Sequence, residues 1–216
     1  AVHIEGISNL DQKDIIYAEE LGYKIKLLGI AKRHVNSVEL RVHPTLIPEK
    51  SLVANVDGPM NAVLVQGNMV GPTLYYGAGA GAEPTASAVV ADIIDLARNI
   101  ESNNTTPILG FIKDEIKEYK ILSIDDITSQ FYIRIKMKRK LGWVVTNKIS
   151  EVFAKYSISI REITSREIKG DNKAVDIYFI TPNMVEKEME KIIKEIEALP
   201  DNIDKAVKLR IEQLNK

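Results

Sequence analysis

Between Phe131 and Lys138 apolar and polar side chains alternate without a break. Phe131, Ile133, Ile135 and Met137 point one way, and Tyr132, Arg134, Lys136 and Lys138 the other. Successive side chains on a strand face opposite sides, so this run predicts a strand with one face in a core and one in water. The segments downstream define its neighbours. Ile149, Val152, Phe153 and Tyr156 have the spacing of one helix face. Ile158, Ile160 and Ile163 return to a strand-like pattern with a phase slip that suits a bulge. Val175, Ile177 and Phe179 give a third strand after the turn at Gly170-Asp171-Asn172. Val185, Met189, Ile192, Ile193 and Ile196 make an amphipathic helix, and Val207, Leu209 and Ile211 a last strand. The order βαββαβ implies one antiparallel sheet with both helices on the same face.

Upstream the pattern is less regular. Asp11 to Leu21 predicts a short helix with Asp11 as cap and Gly22 past its end. Tyr23–Lys32 and Ser37–Val42 are two β-like runs around Arg33-His34-Val35-Asn36. Asn61–Val65 and Thr73–Tyr76 are two more, joined by Gly67-Asn68-Met69-Val70-Gly71. Gly77-Ala78-Gly79-Ala80-Gly81 then leads into a helix from about Pro84 to Ile100, with Pro84 suited to its first turn. The polar stretch Ser102-Asn103-Asn104-Thr105-Thr106-Pro107 ends this region. The expected organisation is a domain over 1–101, a linker over 102–128 and a βαββαβ domain over 129–216. The class is α+β.

Composition excludes several functions. A net charge of -1 provides no global field for nucleic acid or an anionic membrane. The basic cluster Lys136, Lys138, Arg139, Lys140 alternates with apolar residues and is read as the wet face of a strand. There is no cysteine, hence no disulfide, thiolate metal site or cysteine nucleophile. His3 and His34 have no partner at metal-ligand spacing, so no metal site is expected. No run of about 18 apolar residues occurs, so no membrane span is expected, and a cytoplasmic location fits. The first residues, Ala1-Val2-His3-Ile4-Glu5, resemble the middle of a strand, as if the chain were cut from a longer polypeptide.

The residues also carry a resemblance. Arg41-Val42-His43-Pro44-Thr45-Leu46-Ile47-Pro48, Asn61-Ala62-Val63, Tyr75-Tyr76-Gly77-Ala78-Gly79-Ala80-Gly81 and Pro84-Thr85-Ala86-Ser87-Ala88-Val89-Val90-Ala91-Asp92 occur in order. Together with Glu5-Gly6-Ile7 and Ile25-Lys26-Leu27-Leu28-Gly29, they resemble the late catalytic domain of homoserine dehydrogenases. The βαββαβ region resembles an ACT domain, a ferredoxin-like amino-acid-sensing module, through Tyr132–Ile135, Gly142, Ser157–Ile160 and Lys208–Glu212.

The resemblance implies an incomplete mixed-sheet catalytic domain followed by an ACT domain. It implies a parent oxidoreductase that interconverts L-homoserine and L-aspartate 4-semialdehyde with NAD(P), in threonine, methionine and isoleucine biosynthesis. The family's catalytic lysine and Rossmann glycines lie upstream of Ala1, so no catalytic residue is assigned here. The chain alone is expected to be inactive and to hold no cofactor. The resemblance places Gly77, Gly79, Ala80 and Gly81 beside the nicotinamide end of the cofactor. From spacing alone they better suit a tight strand-to-helix turn with no ligand, because the third glycine of a dinucleotide fingerprint would fall on Ala82 and Glu83 would repel a pyrophosphate.

His43 is read as a structural histidine. An effector such as threonine would be held by Leu141, Gly142, Trp143 and Ser165. Here Arg139 and Leu141 replace the Asp and Pro of the family pattern, and Ser165 replaces its glutamine. The expected assembly is a homodimer through the ACT domain. Alternatives are a stand-alone amino-acid-binding regulator and a purely dimerising fragment.

Overall fold

A computed structural model describes residues 2–100, 118–139, 142–160, 163–168 and 170–214. In chain order its elements are β1 (His3–Ile4), α1 (Gln12–Glu20), β2 (Tyr23–Arg33), β3 (Ser37–Pro48), β4 (Met60–Gly67), β5 (Gly71–Ala78) and α2 (Ala82–Ile100). They continue with β6 (Lys120–Ile121), β7 (Thr128–Lys138), α3 (Gly142–Lys155), β8 (Ile163–Ile168), β9 (Asp171–Ile180), β10 (Met184–Val185), α4 (Glu186–Glu197) and β11 (Val207–Ile211). Two compact units result: one from 1–54 with 119–216, the other from 55–118.

The larger unit is built on one mixed sheet. Strands β11, β7, β9 and β8 lie side by side in that order, all antiparallel. Helices α3 and α4 cover one face, where Phe131, Ile133, Ile135, Met137, Ile149, Phe153, Ile177, Phe179, Met189 and Ile192 form the main core. This is the ferredoxin-like arrangement that the order βαββαβ predicts. The phase slip resolves differently from the expectation. Residues 158–160 lie outside any strand, β8 begins at Ile163, and the irregularity falls between Glu167 and Ile168.

The sheet does not stop at β11. That strand pairs in parallel with β3, Arg210 opposite Thr45 and Ile211 opposite Leu46. Strand β3 pairs along its whole length with β2, and its other edge is shared end to end by β6, β1 and β11. The early strands therefore belong to the same sheet as the late ones, and the compact units divide the chain elsewhere than at 102–128. Residues 102–117 of that expected linker lie outside the described residues.

Helix α1 supplies the second correction. Asp11 caps it by accepting from Lys13 N at 3.2 Å, the Asp14 carboxylate accepts from Asp11 N at 3.0 Å, and Gly22 closes the far end with φ +80. It lies on the face of the sheet opposite α3 and α4. There Tyr17 and Ala18 pack with Leu46, Tyr132, Tyr178, Leu209 and Ile211, and the Tyr17 and Tyr178 rings stack at 4.3 Å. Tyr132 and Arg134, expected in water, are buried. Of the predicted wet face, Lys138 is exposed and Lys136 half-buried. The alternation located the strand correctly, but a helix from far upstream covers its polar side.

Burying an arginine requires a counter-charge. Arg134 donates to both carboxylate oxygens of Asp14, at 2.6 and 3.0 Å, and Tyr132 donates to Asp14 at 3.1 Å. Lys13 and the Tyr17 hydroxyl both donate to Asp176 of β9, at 3.2 and 3.3 Å. Burial, with Asp176 alongside, pushes the Tyr17 phenol up to about 12, so it stays a donor.

The smaller unit is plainer. Strands β4 and β5 form an antiparallel hairpin with Val63 opposite Tyr75 and Leu64 opposite Leu74, and α2 follows. Among its described residues none is buried.

Candidate functional site

The glycine-rich turn lies wholly in the smaller unit. Hairpin pairing runs to Asn61 opposite Gly77 and Met60 opposite Ala78. The chain then folds back on Pro59, whose carbonyl accepts from Gly79 N at 3.2 Å and from Ala80 N at 3.4 Å. Gly81 has φ +120, a conformation that L side chains rarely adopt, and its carbonyl accepts from both Thr85 N (3.2 Å) and Thr85 Oγ1 (2.8 Å). Helix α2 starts at Ala82, so its first N–H groups have no partner within the helix.

Gly77, Gly79, Ala80 and Gly81 are all exposed. The turn has open ground on its outer side. As a phosphate cradle it is poor, because the N–H groups of Gly79 and Ala80 already serve Pro59 and Glu83 adds negative charge.

The apolar residues of the hairpin and of α2 were legible as strand and helix patterns. Val63 and Val65 share one face of the hairpin with Tyr75, while Leu64 and Tyr76 lie on the other. Val63, Tyr75 and Tyr76 are exposed, as are Val89, Val90, Ile93 and Ile94 of α2. A hairpin with apolar residues on both faces matches the pattern of strands covered on both sides.

The expected effector residues are placed as follows. Gly142 opens α3, while Leu141 and the Trp143 side chain lie outside the described residues. Ser165 is exposed on β8, opposite Ile177 of β9. Strand β9 lies between it and β7, the strand that leads towards Gly142. Arg139, standing where the family pattern has Asp, pairs with Glu167 of β8. A cavity of about 420 Å³ opens in the larger unit among Leu21, Gln130, Thr164, Tyr178, Thr181 and Asn183. Ser165 is not in its walls.

His43 is fully buried on β3. Arg41 can only donate, so its contact of 3.1 Å makes His43 Nε2 an acceptor and puts the proton on Nδ1, which donates to Pro44 O at 3.0 Å. Burial, together with the Arg210 and Arg41 charges, holds the imidazole down at about 4 against the pull of the Pro44 bond. It is a neutral, tethered side chain.

Around it stands a charged cluster that the sequence did not announce. Arg41 pairs with Glu39 at 3.3 Å and with Glu212, which also takes Lys32 at 2.6 Å. Arg210 donates twice to Glu186 at the start of α4, at 2.8 and 2.7 Å, and to Glu5 at 2.9 Å. Burial alone would raise the Glu5 carboxyl, but the Arg210 hydrogen bond and charge hold it at about 2. The hint in the sequence is parity: residues 39 and 41 of β3, and 208 and 210 of β11 with 212 just past its end, alternate charge along the chain. Among the described residues no three His, Cys, Asp or Glu side chains cluster to hold a metal ion, and no helix is long and apolar enough to cross a membrane.

Comparisons with known proteins agree with these features. A model of the homoserine dehydrogenase family matches residues 1–94. The homoserine dehydrogenase of Neisseria gonorrhoeae is 48% identical over 218 residues, an alignment covering 100% of this chain and 49% of the relative. That of Pseudomonas aeruginosa is 43% identical, covering 99% and 49%. Among solved structures, a homoserine dehydrogenase from Thiobacillus denitrificans superposes with a TM-score of 0.85 at 47% identity, over 99% of this chain and 48% of that one. The Staphylococcus aureus enzyme at pH 6.0 gives 0.61 at 29% identity, over 96% and 46%. The chain thus spans about half the length of the relatives it matches, and across that span it belongs to the homoserine dehydrogenase family.

Proposed function

We propose that this chain is part of an enzyme that interconverts L-homoserine and L-aspartate 4-semialdehyde with NAD(P), as its likeness to homoserine dehydrogenases suggests. The observation that carries the reading is the open turn at Gly77–Gly81 at the entrance to α2. It would border the nicotinamide end of a dinucleotide whose phosphates are held by other polypeptide. The cofactor supplies hydride transfer, and these residues supply close approach and exclusion of water from one side. The exposed apolar faces of β4, β5 and α2 would be covered by the remainder of the catalytic domain. The catalytic lysine would come from that remainder, so this chain alone would not turn over. A NAD(P)H absorbance assay on the full-length protein and on this chain tests both statements. Turnover with homoserine is expected from the first only, and turnover by the chain alone would refute the division of labour.

The βαββαβ region would act as an ACT module that joins two copies in a cytoplasmic homodimer and responds to an end product such as threonine. A module that pairs copies without sensing is the second reading. The observation favouring it is the Arg139–Glu167 pair at the position where the family pattern has Asp. Calorimetric titration of threonine, methionine, isoleucine and lysine, with sedimentation in parallel, separates the two. Heat with one amino acid favours sensing, and a dimer that binds none favours pairing only.

A further inference from the structure

We propose that the cavity at the end of α1 is an amino-acid site, in which Arg166 and Glu20 bind the carboxylate and the ammonium of a free α-amino acid. This names the place of sensing in the βαββαβ region and rests on the sensing reading. The position given by the family pattern offers little, because Arg139 stands there in place of Asp and is committed to Glu167. Ser165 faces the other side of β8 from Thr164. The cavity encloses about 420 Å³, within the range of about 300–1,000 Å³ in which small ligands are held. Its wall divides by chemistry. Thr181 Oγ1 is already committed, accepting from Phe131 N and donating to Pro182 O, both at 3.0 Å. The side chains of Ser159, Thr164 and Asn183 make no hydrogen bond among the described residues, so their polar atoms are free for a guest. Leu21, the C-cap of α1, adds an apolar side.

No charged side chain lines the cavity itself, and the charges stand next to it. Thr164 and Arg166 are two residues apart on β8 and share the face of Tyr178, the cross-strand partner of Thr164. Tyr178 forms part of the wall and donates its hydroxyl to Glu20 at 2.9 Å, and Glu20 pairs with Arg166 at 2.7 Å. The Arg166 side chain is 47% exposed and that of Glu20 33%, so this ion pair is worth little and opens readily. An α-amino acid carries the matching anion and cation on one carbon. Its carboxylate takes Arg166 and its ammonium takes Glu20, which replaces one ion pair by two while its side chain enters the cavity. Glu20 and Leu21 belong to α1, whereas Arg166 and Thr164 belong to the antiparallel part of the sheet. A bound amino acid therefore touches both, and its binding energy favours the arrangement in which they are docked.

The test is calorimetric titration of the full-length protein with L-threonine, L-methionine, L-isoleucine and L-lysine, and with the carboxamide of any that binds. The carboxamide should bind about tenfold or more weakly than the acid, because it lacks the charge that Arg166 takes. Arg166→Gln should weaken the acid by a similar factor and leave the carboxamide nearly unchanged, a selectivity that general damage to the fold does not produce. Thr164→Phe fills the cavity and should abolish the heat without lowering the Tm. Equal weakening of acid and carboxamide by Arg166→Gln overturns the carboxylate contact. Binding that survives both Arg166→Gln and Thr164→Phe but is lost in Gly142→Ala overturns this site and returns sensing to the start of α3. No heat with any of the four amino acids overturns the sensing reading, and this site with it.

Discussion

The two units of this chain use the same alphabet of apolar strands and helices and end in opposite states. In the larger one, residues far apart in sequence cover both faces of one sheet, and even arginines are buried with counter-charges. In the smaller one, strands and a helix of equal apolar quality leave Val63, Tyr75, Val89 and Ile93 exposed. Local pattern creates an apolar face, and only a partner of matching shape buries it. The larger unit has its partners within the chain. The smaller one leaves its apolar faces exposed.

That contrast can be broken experimentally. The largest effect is expected at Asp14, whose removal leaves Arg134 buried without its bidentate partner. Asp14→Ala should lose about 3–5 kcal/mol in urea denaturation, and replacing both residues by apolar ones should recover much of it. A loss under about 1 kcal/mol would show that α1 is not locked to the sheet by this pair.

Acid should act on the larger unit next. The folded state holds His43 at about 4, below its ordinary value of 6.5, so its contribution is complete above pH 6.5 and is lost as pH falls towards 4. Glu5 is held at about 2, and Glu186 and Glu212 are also held low by their cationic partners. Their share is complete above about 4.5 and is lost as pH falls below that. Stability measured between pH 7 and 4 should therefore slope downward, and His43→Gln should flatten the upper part of the slope. An unchanged slope would place the acid sensitivity elsewhere.

Smaller still is the cap. Asp11→Ala should cost about 1 kcal/mol, since Asp11 serves only the first turn of α1. The least effect is expected in the smaller unit. Ile93→Ala on α2 should change the stability of this chain by no more than about 0.5 kcal/mol, because the side chain is already in water. In the full-length protein the same change should cost about 2–5 kcal/mol if Ile93 enters a core. Equal effects in the two contexts would erase the contrast between the units.

Much of this was legible in the residues. The alternation from Phe131 to Met137 located β7, the spacing of Val185 to Ile196 located α4, and Asp11 with Gly22 bracketed α1. Of the candidate site, the turn at Gly77–Gly81 and the structural role of His43 followed from motif and neighbours. The bonds from Gly79 N and Ala80 N to Pro59 O did not, because they depend on how the chain folds back at the end of the hairpin.

The sequence by itself determined the elements and their order, because periodicity and capping act within a few residues. It also determined the family, because several motifs recur in order. Only the tertiary structure decided that β3 joins β11, that α1 shelters Tyr132 and Arg134, and that Glu5, Arg210 and Glu186 meet. Those outcomes depend on pairings between distant segments, where burial of apolar area and compensation of charge are settled together.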